Sequence, residues 1–161
     1  MKTLEIEFEQ TVKQYKNTIY TVCFMFSKDT EEVNDLFQDT LINLWKGFSA
    51  FQGKSHIQTW IWRVSLNTCI SHQRKRRITT TPLTMDIDVF EGNDEDTQQI
   101  QILYNRINRL RPFDRAIILL WLENFSYEEI AEIVGITVKN VSVRLFRIKE
   151  ELKKMSHNTS K

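Results

Sequence analysis

The chain contains only four glycines and two prolines among its 161 residues. Turn-rich β architectures depend on those two residue types at their many tight turns, so the sequence argues against a sandwich or a barrel. Hydrophobic residues make up 41% of the chain, which is enough for one compact core or for two small ones. We therefore predict an all-α fold.

The charges divide the chain into three parts, although the net charge is only +1. Residues 1–77 hold 11 basic and 8 acidic side chains, residues 78–98 hold no basic and 6 acidic ones, and residues 99–161 hold 11 and 7. The middle part is rich in Thr, Asp, Glu and Asn, a composition typical of a flexible linker. We expect two helical domains, at 1–77 and 99–161, joined by an acidic linker, and two basic surfaces suited to nucleic acid.

Several function classes are disfavoured by what the sequence lacks. Cys23 and Cys69 are too few for a disulfide framework and have no zinc-binding spacing, so we expect both to be buried. Acidic residues at the N-terminus argue against a signal peptide, and no apolar run approaches a membrane span. No nucleophile with a base, phosphate loop or metal motif is apparent. We expect a cytoplasmic protein that is not an enzyme and takes no metal, cofactor or small-molecule substrate.

The first half shows the apolar periodicity of three helices. The first spans residues 3–26 and the second spans about 30–48. Residues Phe51–His56 have loop composition, and Thr59 is placed to cap a third helix that ends near Arg76.

The second half predicts a helix-turn-helix after two helices at about 97–110 and 112–124. Ser126 and Glu129 have the spacing of a capping box, and Gly135 is suited to end the short helix that follows. Thr137 caps the next helix, which runs to about Met155. A short capped helix, a glycine turn and a longer basic helix are typical of DNA-binding modules, although any corner between two helices can share this spacing.

The last helix separates an apolar stripe from an outward face. The stripe is about 60° wide at 100° per residue and contains Val141, Leu145, Ile148 and Leu152. The opposite face has cations, an amide and apolar groups that suit phosphates and base edges in a major groove. An outward phenylalanine can also pack against a partner or the other domain, but seven basic residues against two acidic ones between Lys139 and Lys161 favour DNA. The outward residues are Lys139, Asn140, Val143, Phe146 and Arg147.

Six segments along the chain form an ordered set of motifs. They are Asp35-Leu-Phe-Gln-Asp39 with Leu44-Trp45, Thr59–Asn67, Arg74-Lys75, Leu110-Arg-Pro-Phe-Asp-Arg115, Ser126-Tyr-Glu-Glu-Ile-Ala131 and Arg144-Leu-Phe-Arg147. In order and separation these segments resemble bacterial RNA polymerase sigma factors of the small extracytoplasmic-function group. The resemblance implies a sigma region 2 bundle at 1–77 and a region 4 helix-turn-helix at 99–161.

The resemblance implies that the second helix docks on core RNA polymerase. Projection of this helix from Val33 places an isoleucine among polar groups on the side away from the core, as suits a partly polar interface. Trp45 lies nearer the buried stripe, so we expect it to be mainly structural. The residues implied for docking are Asp35, Leu36, Gln38, Asp39 and Ile42.

The resemblance also implies that residues 51–75 melt the minus-10 element, with the loop holding one flipped-out base. Interleaved aromatic and basic groups suit a separated strand, because bases stack on rings and phosphates attract cations. One helix rarely exposes two tryptophans, so which of them faces DNA stays open. The implied residues are Phe51, Ser55, His56, Trp60, Trp62, Arg63, Asn67, Arg74 and Lys75.

For the minus-35 element the resemblance implies contacts from the last helix. Relatives often have a basic residue where this chain has Ser142, and its absence weakens one flank of the contact. The implied residues are Lys139, Asn140, Ser142, Val143, Arg144, Phe146 and Arg147.

Three partners follow from the resemblance: core RNA polymerase, promoter DNA and a membrane-anchored anti-sigma factor. Two rival interpretations do not include polymerase as a partner. One is a freestanding helix-turn-helix regulator whose first half senses a ligand or dimerises, and the other is a helical adaptor that binds protein alone. The polar face of the second helix and the Trp-rich third helix favour the sigma factor over both.

Overall fold

A computed structural model describes residues 2–51, 53, 56–75 and 95–159, without the side chains of residues 2, 74, 75, 95–97 and 156–159. Throughout these ranges the regular structure is helical, which confirms the all-α prediction. The chain divides into two compact units, Met1–Thr80 and Thr81–Lys161. The predicted acidic linker falls mostly outside the described residues.

The first unit is a bundle of three helices that pack pairwise: α1 (Lys2–Met25), α2 (Thr30–Phe51) and α3 (Ile57–Lys75). The C-terminal half of α1 supplies fully buried Ile19 and Val22 to the core, to which α2 adds Leu36 and α3 adds Leu66. The N-terminal half of α1 is held differently, because Phe8 packs against two aromatic rings of α2. The bundle therefore has an aliphatic core with an aromatic cluster beside it.

Two helix boundaries differ from the sequence prediction. Helix α2 continues to Phe51, because residues 48–51 contain no helix breaker and a left-handed residue first occurs at Gly53, with φ of 69°. Helix α3 begins at Ile57, and the amide of Trp60 donates to the carbonyl of His56 over 3.1 Å. Thr59 is therefore not the N-cap but a buried residue in the first turn of α3.

Gly47 lies inside α2, where glycine costs about 1 kcal/mol relative to alanine. A β-carbon at this position would stand 3.3 Å from Cζ2 of Trp60, closer than side chains usually pack. The missing side chain thus lets the indole of α3 rest against the backbone of α2.

The two cysteines lie in this bundle, and the expectation that both are buried is confirmed. The Cys23 sulfur also lies 3.7 Å from Oγ1 of Thr40. A hydrogen bond with Cys69 lowers the pKa of the Cys23 thiol, against the opposing effect of burial. Each cysteine therefore fills space in the core between helices.

The second unit contains four helices: α4 (Glu95–Asn108), α5 (Pro112–Leu122), α6 (Tyr127–Val134) and α7 (Val138–Thr159). The predicted proline in the first turn of α5 is confirmed. None of the helices in the described ranges of either unit is long and apolar enough to cross a membrane.

The predicted capping chemistry around α6 is also confirmed. The Glu129 amide donates to Oγ of Ser126 over 3.1 Å, and the Ser126 amide donates to Oε1 of Glu129 over 3.0 Å. Gly135 has φ of 79° and ends α6, while Thr137 Oγ1 accepts from the Asn140 amide over 3.1 Å at the start of α7. These local bonds fix the turn between α6 and α7.

Arg115 joins α4 to α5 from inside the unit. Its side chain is nearly fully buried, and its Nη2 donates to the carbonyls of Asn108 (2.8 Å) and Leu110 (3.0 Å). Those carbonyls lie at and just beyond the end of α4, where intrahelical partners run out. A buried cation thus completes the hydrogen bonding of the turn between α4 and α5.

Helix α7 packs on α5 and α6 through the predicted stripe. Val141, Leu145 and Ile148 are each at most 1% exposed, whereas Leu152 is half-buried. The fully buried Ile117 of α5 belongs to the same core. Its burial therefore fixes which side of α7 faces outward.

We expect Val141→Asp to unfold the second unit, because an uncompensated carboxylate in the core costs about 3–5 kcal/mol. Val143→Asp is a matched control, since Val143 lies two residues away on the same helix but is 40% exposed. Thermal melting followed by circular dichroism measures the difference. Equal melting temperatures for both variants would contradict the packing of α7.

Candidate nucleic-acid and partner interfaces

The outward face of α7 carries the residues predicted to meet the minus-35 element. Lys139, Asn140, Ser142, Val143, Phe146 and Arg147 are all exposed. Phe146 is 68% exposed, an unusual degree for a phenylalanine, and it lies near the exposed Val143. From position 139 to the end, the chain holds seven basic and two acidic residues. The face thus combines cations with two exposed apolar side chains, a combination that suits a helix bound in the major groove of DNA.

Arg144 was predicted with this group, but its guanidinium is engaged within the unit. Nη1 lies 3.3 Å from Oδ1 of Asp114, and Cζ lies 4.9 Å from the centre of the Phe113 ring. Both partners belong to the first turn of α5. The side chain therefore points towards α5 and away from the middle of the outward face.

In α3 the structure separates the two tryptophans. Trp62 is 3% exposed, so its predicted role at DNA is wrong in this fold, because the indole fills the core of the bundle. Trp60 is half-buried, and its ring packs in a tilted arrangement against Phe51, with 4.9 Å between centroids and an interplanar angle of 31°. Of the two, only Trp60 keeps surface that a base can reach.

The other residues predicted for minus-10 DNA have different positions. His56 and Asn67 are exposed, and Arg63 is half-buried. Arg74 and Lys75 end α3, but the directions of their side chains lie outside the described structure, as does Ser55 altogether.

Helix α2 turns most of its predicted polymerase-binding residues outward. Asp35, Gln38 and Asp39 are exposed, and Ile42 is 51% exposed. Leu36 is fully buried, so its assignment to the docking surface is wrong: it faces the opposite side of the helix and packs in the core. Trp45, expected to be mainly structural, packs on Phe8 at 5.1 Å yet remains 42% exposed.

A groove between α2 and α3 brings the two predicted surfaces of this unit together. Asp39 and Ile42 line it from α2, and Asn67 lines it from α3. Nδ2 of Asn43 donates to Oγ1 of Thr68 over 2.9 Å and so ties the two helices. Two residues expected to meet polymerase and one residue expected to meet DNA therefore share this groove.

Polar contacts that sequence reasoning missed close one end of this bundle. Nε2 of His72 lies 3.6 Å from Oε2 of the buried Glu32, and Gln73 donates to the carbonyl of Phe26 over 2.8 Å. Glu32 also accepts from the Lys28 amide over 2.9 Å. The capping spacing of Asp29 and Glu32 is visible in the sequence, whereas the contacts from α3 depend on tertiary packing.

No three His, Cys, Asp or Glu side chains in the described ranges form a group that could hold a metal ion. The pKa of Tyr104 in α4 is raised by burial and by the nearby Glu123 carboxylate, so its hydroxyl remains neutral.

Comparison with known families gives matches in both units. The model of sigma-70 region 2 matches residues 11–78, and the model of sigma-70 region 4 matches residues 100–152. The RNA polymerase sigma-H factor of Pseudomonas aeruginosa is 29% identical over 91% of this chain and 84% of its own length. RNA polymerase sigma factor YlaC of Bacillus subtilis is 27% identical, over 91% and 90% respectively.

Solved structures agree with the fold. The sigma factor RpoE, in complex with the anti-sigma factor NepR from Bartonella quintana, matches with a TM-score of 0.76 and 22% identity over 94% of this chain and 97% of that chain. CnrH, in complex with the cytosolic domain of CnrY, matches with a TM-score of 0.70 and 20% identity, over 96% and 90%. Because region 2 and region 4 occur in order on one chain, this protein belongs to the sigma-70 family of RNA polymerase sigma factors, in its extracytoplasmic-function group.

Proposed function

We propose that the outward face of α7 reads the minus-35 element of promoters while this sigma factor is bound to core RNA polymerase. The observation that carries the proposal is the exposure of this face on a helix whose opposite stripe is buried and whose start is capped. The phenylalanine and the valine on this face lie among cations, a combination that suits base edges flanked by phosphates.

The side chains of this face have complementary chemistry for DNA. Arg147 can form two hydrogen bonds with a guanine edge, and Asn140 can do the same with adenine. Val143 and Phe146 suit thymine methyl groups, and Lys139 suits a phosphate. Ser142 offers one hydroxyl at a position where a basic side chain would bind a phosphate more strongly. The expected readout therefore combines base contacts in the middle of the face with phosphate contacts at its edge.

For the minus-10 element we propose a smaller set of residues than the sequence suggested. Trp60 and Phe51 form a tilted pair of aromatic rings, and stacking of an unpaired base on such a ring is a common way to hold single strands. His56, Arg63 and Asn67 lie on α3 or at its start and offer polar contacts. Ser55, Arg74 and Lys75 remain predictions from the resemblance.

We assign the surface of this chain that binds core polymerase to the outward side of α2. Ile42 supplies an apolar contact, and the acidic and amide groups around it supply the polar rim of an interface. This arrangement suits a basic partner surface with an apolar centre. The surface consists of Asp35, Gln38, Asp39 and Ile42.

An anti-sigma factor is a further proposed partner. One structural relative, RpoE, forms a complex with the anti-sigma factor NepR, and another, CnrH, forms a complex with the cytosolic domain of CnrY. A partner with a cytosolic domain is consistent with anchoring in the membrane. We infer that this chain acts in the cytoplasm, where core polymerase and DNA are, and that polymerase rather than this chain performs the chemistry of RNA synthesis.

We expect Asp39→Arg combined with Ile42→Glu to abolish binding to core polymerase, because the double change reverses one charge and removes the apolar contact. Both side chains are exposed, so the bundle should stay folded. The matched control is Glu9→Arg with Ile6→Glu, the same types of change at the same spacing on the exposed side of α1. Co-elution with core polymerase provides the measurement, and wild-type affinity of the Asp39 variant would refute the docking assignment.

Two substitutions on α7 should separate base contacts from phosphate contacts. We expect Arg147→Ala to cost about 1–3 kcal/mol and to relax preference at one minus-35 position. Lys153→Ala should weaken all promoters nearly equally and reduce the salt slope by about one, because this residue lies further along the helix. Binding of holoenzyme to a set of single-position promoter variants tests both. A single-position effect of Lys153→Ala, with none from Arg147→Ala, would contradict the proposed docking of α7.

A further inference from the structure

Two cations of α7 are directed towards aromatic rings of α5. Arg144 lies over Phe113 at 4.9 Å from Cζ to the ring centre, and Lys149 lies over Trp121 at 4.0 Å from Nζ to the ring centre. Each arrangement is a cation–π contact. The interface between α5 and α7 therefore contains two polar attachment points in addition to its apolar stripe.

The two attachment points lie on opposite sides of the stripe. At 100° per residue, Arg144 and Lys149 each lie about 70° from the middle of the stripe, in opposite directions. Their partner rings are eight residues apart on α5, or about 12 Å along the helix. Contacts on both sides of the stripe oppose rotation of α7 about its own axis in either direction. The apolar stripe alone is narrow and would resist such rotation less well.

The contact at Arg144 also includes a carboxylate. Oδ1 of Asp114 lies 3.3 Å from Nη1 of Arg144, and the Asp114 side chain is only 22% exposed. Asp114 belongs to the first turn of α5, where the helix dipole favours a negative charge. The negative charge of Asp114 is thus favoured at the start of its own helix, where it meets the guanidinium that reaches it from α7.

We propose that Arg144 is a positioning residue, held by Asp114 and Phe113 so that α7 presents Arg147 and its neighbours to DNA at one fixed angle. The proposal rests on the proposed reading of minus-35 DNA by α7, and it reassigns Arg144 from DNA contact to support. The reason is geometric: the Asp114 carboxylate and the Phe113 ring already direct this guanidinium towards α5, although 45% of the Arg144 side chain stays exposed.

Asp114→Asn distinguishes the two roles, because they predict opposite effects. If Arg144 positions α7, the variant holoenzyme loses discrimination between promoters, by about threefold for an ion pair of this exposure, with an unchanged salt slope. If Arg144 instead contacts a phosphate, removal of the rival carboxylate raises the affinity for every promoter and steepens the salt slope by about one. The second result would overturn the proposal.

The measurement uses the full chain in holoenzyme with two DNA fragments. One carries a minus-35 sequence that the wild-type holoenzyme selects from a randomised pool, and the other carries the same bases scrambled. The ratio of the two affinities, taken over a series of salt concentrations, gives both discrimination and salt slope. Glu128→Gln is the matched control, since it removes one exposed carboxylate from the first turn of α6, and its ratio should equal that of the wild type.

A second pair of variants guards against a simple loss of folding. Arg144→Met alone should reduce the ratio as Asp114→Asn does, while Arg144→Met with Asp114→Leu should restore it to within about twofold, because an apolar pair can replace an ion pair. A double variant that discriminates no better than Arg144→Met would contradict the positioning role. If the wild-type holoenzyme selects no minus-35 sequence at all, the proposed function of α7 fails. If the wild-type holoenzyme does select a minus-35 sequence and Asp114→Asn discriminates as well as the wild type, the positioning role of Arg144 is refuted while the proposed function of α7 stands.

Discussion

Burial of the apolar stripes of α2 and α7 is the constraint that sets the outward faces of both units. In proteins most of the stability of a helix comes from packing its apolar face against neighbours. Once the stripe is buried, the opposite residues must face outward. In α7 burial of Val141 and Leu145 turns Phe146 and Arg147 outward. In α2 burial of Leu36 has the same consequence for Asp39.

Because each unit is small, apolar packing alone does not hold the helix ends, and polar side chains bond to backbone groups there. Arg115 satisfies carbonyls at the end of α4, and Gln73 bonds to the carbonyl of Phe26 just after α1. Glu32 bonds at the start of α2 and also faces His72 of α3. These contacts hold helix ends together from different parts of the sequence. The outward faces proposed to meet partners therefore lie on helices of units in which polar contacts fix helix ends.

The sequence predicted best what depends on local spacing. The stripe of α7 and the caps at Ser126 and Thr137 involve residues within a few positions of one another, and the structure confirms them. Motif membership was less reliable as a guide to contact. Leu36 and Trp62 lie within family motifs but are buried, because a motif does not separate residues needed by the fold from those that meet a partner.

Contacts between distant positions could not be predicted from the sequence. Nothing in the spacing of Arg144 indicates that its guanidinium meets Asp114, thirty residues away, because that contact arises only when α7 packs on α5. The start of α3 was misplaced for a similar reason. Thr59 has the side chain of a cap, but its burial in the bundle places it inside the helix.

If this chain directs core polymerase to promoters through the outward face of α7, transcription must depend both on the chain and on the minus-35 sequence. Run-off transcription measures this dependence, with core polymerase, a template bearing the selected minus-35 sequence, and a second template in which that sequence is scrambled. We expect a discrete run-off product only when this chain is added, and strong reduction of that product on the scrambled template. Equal transcription with and without the chain, together with a shift of the promoter DNA by the chain alone, would contradict it and indicate a freestanding regulator.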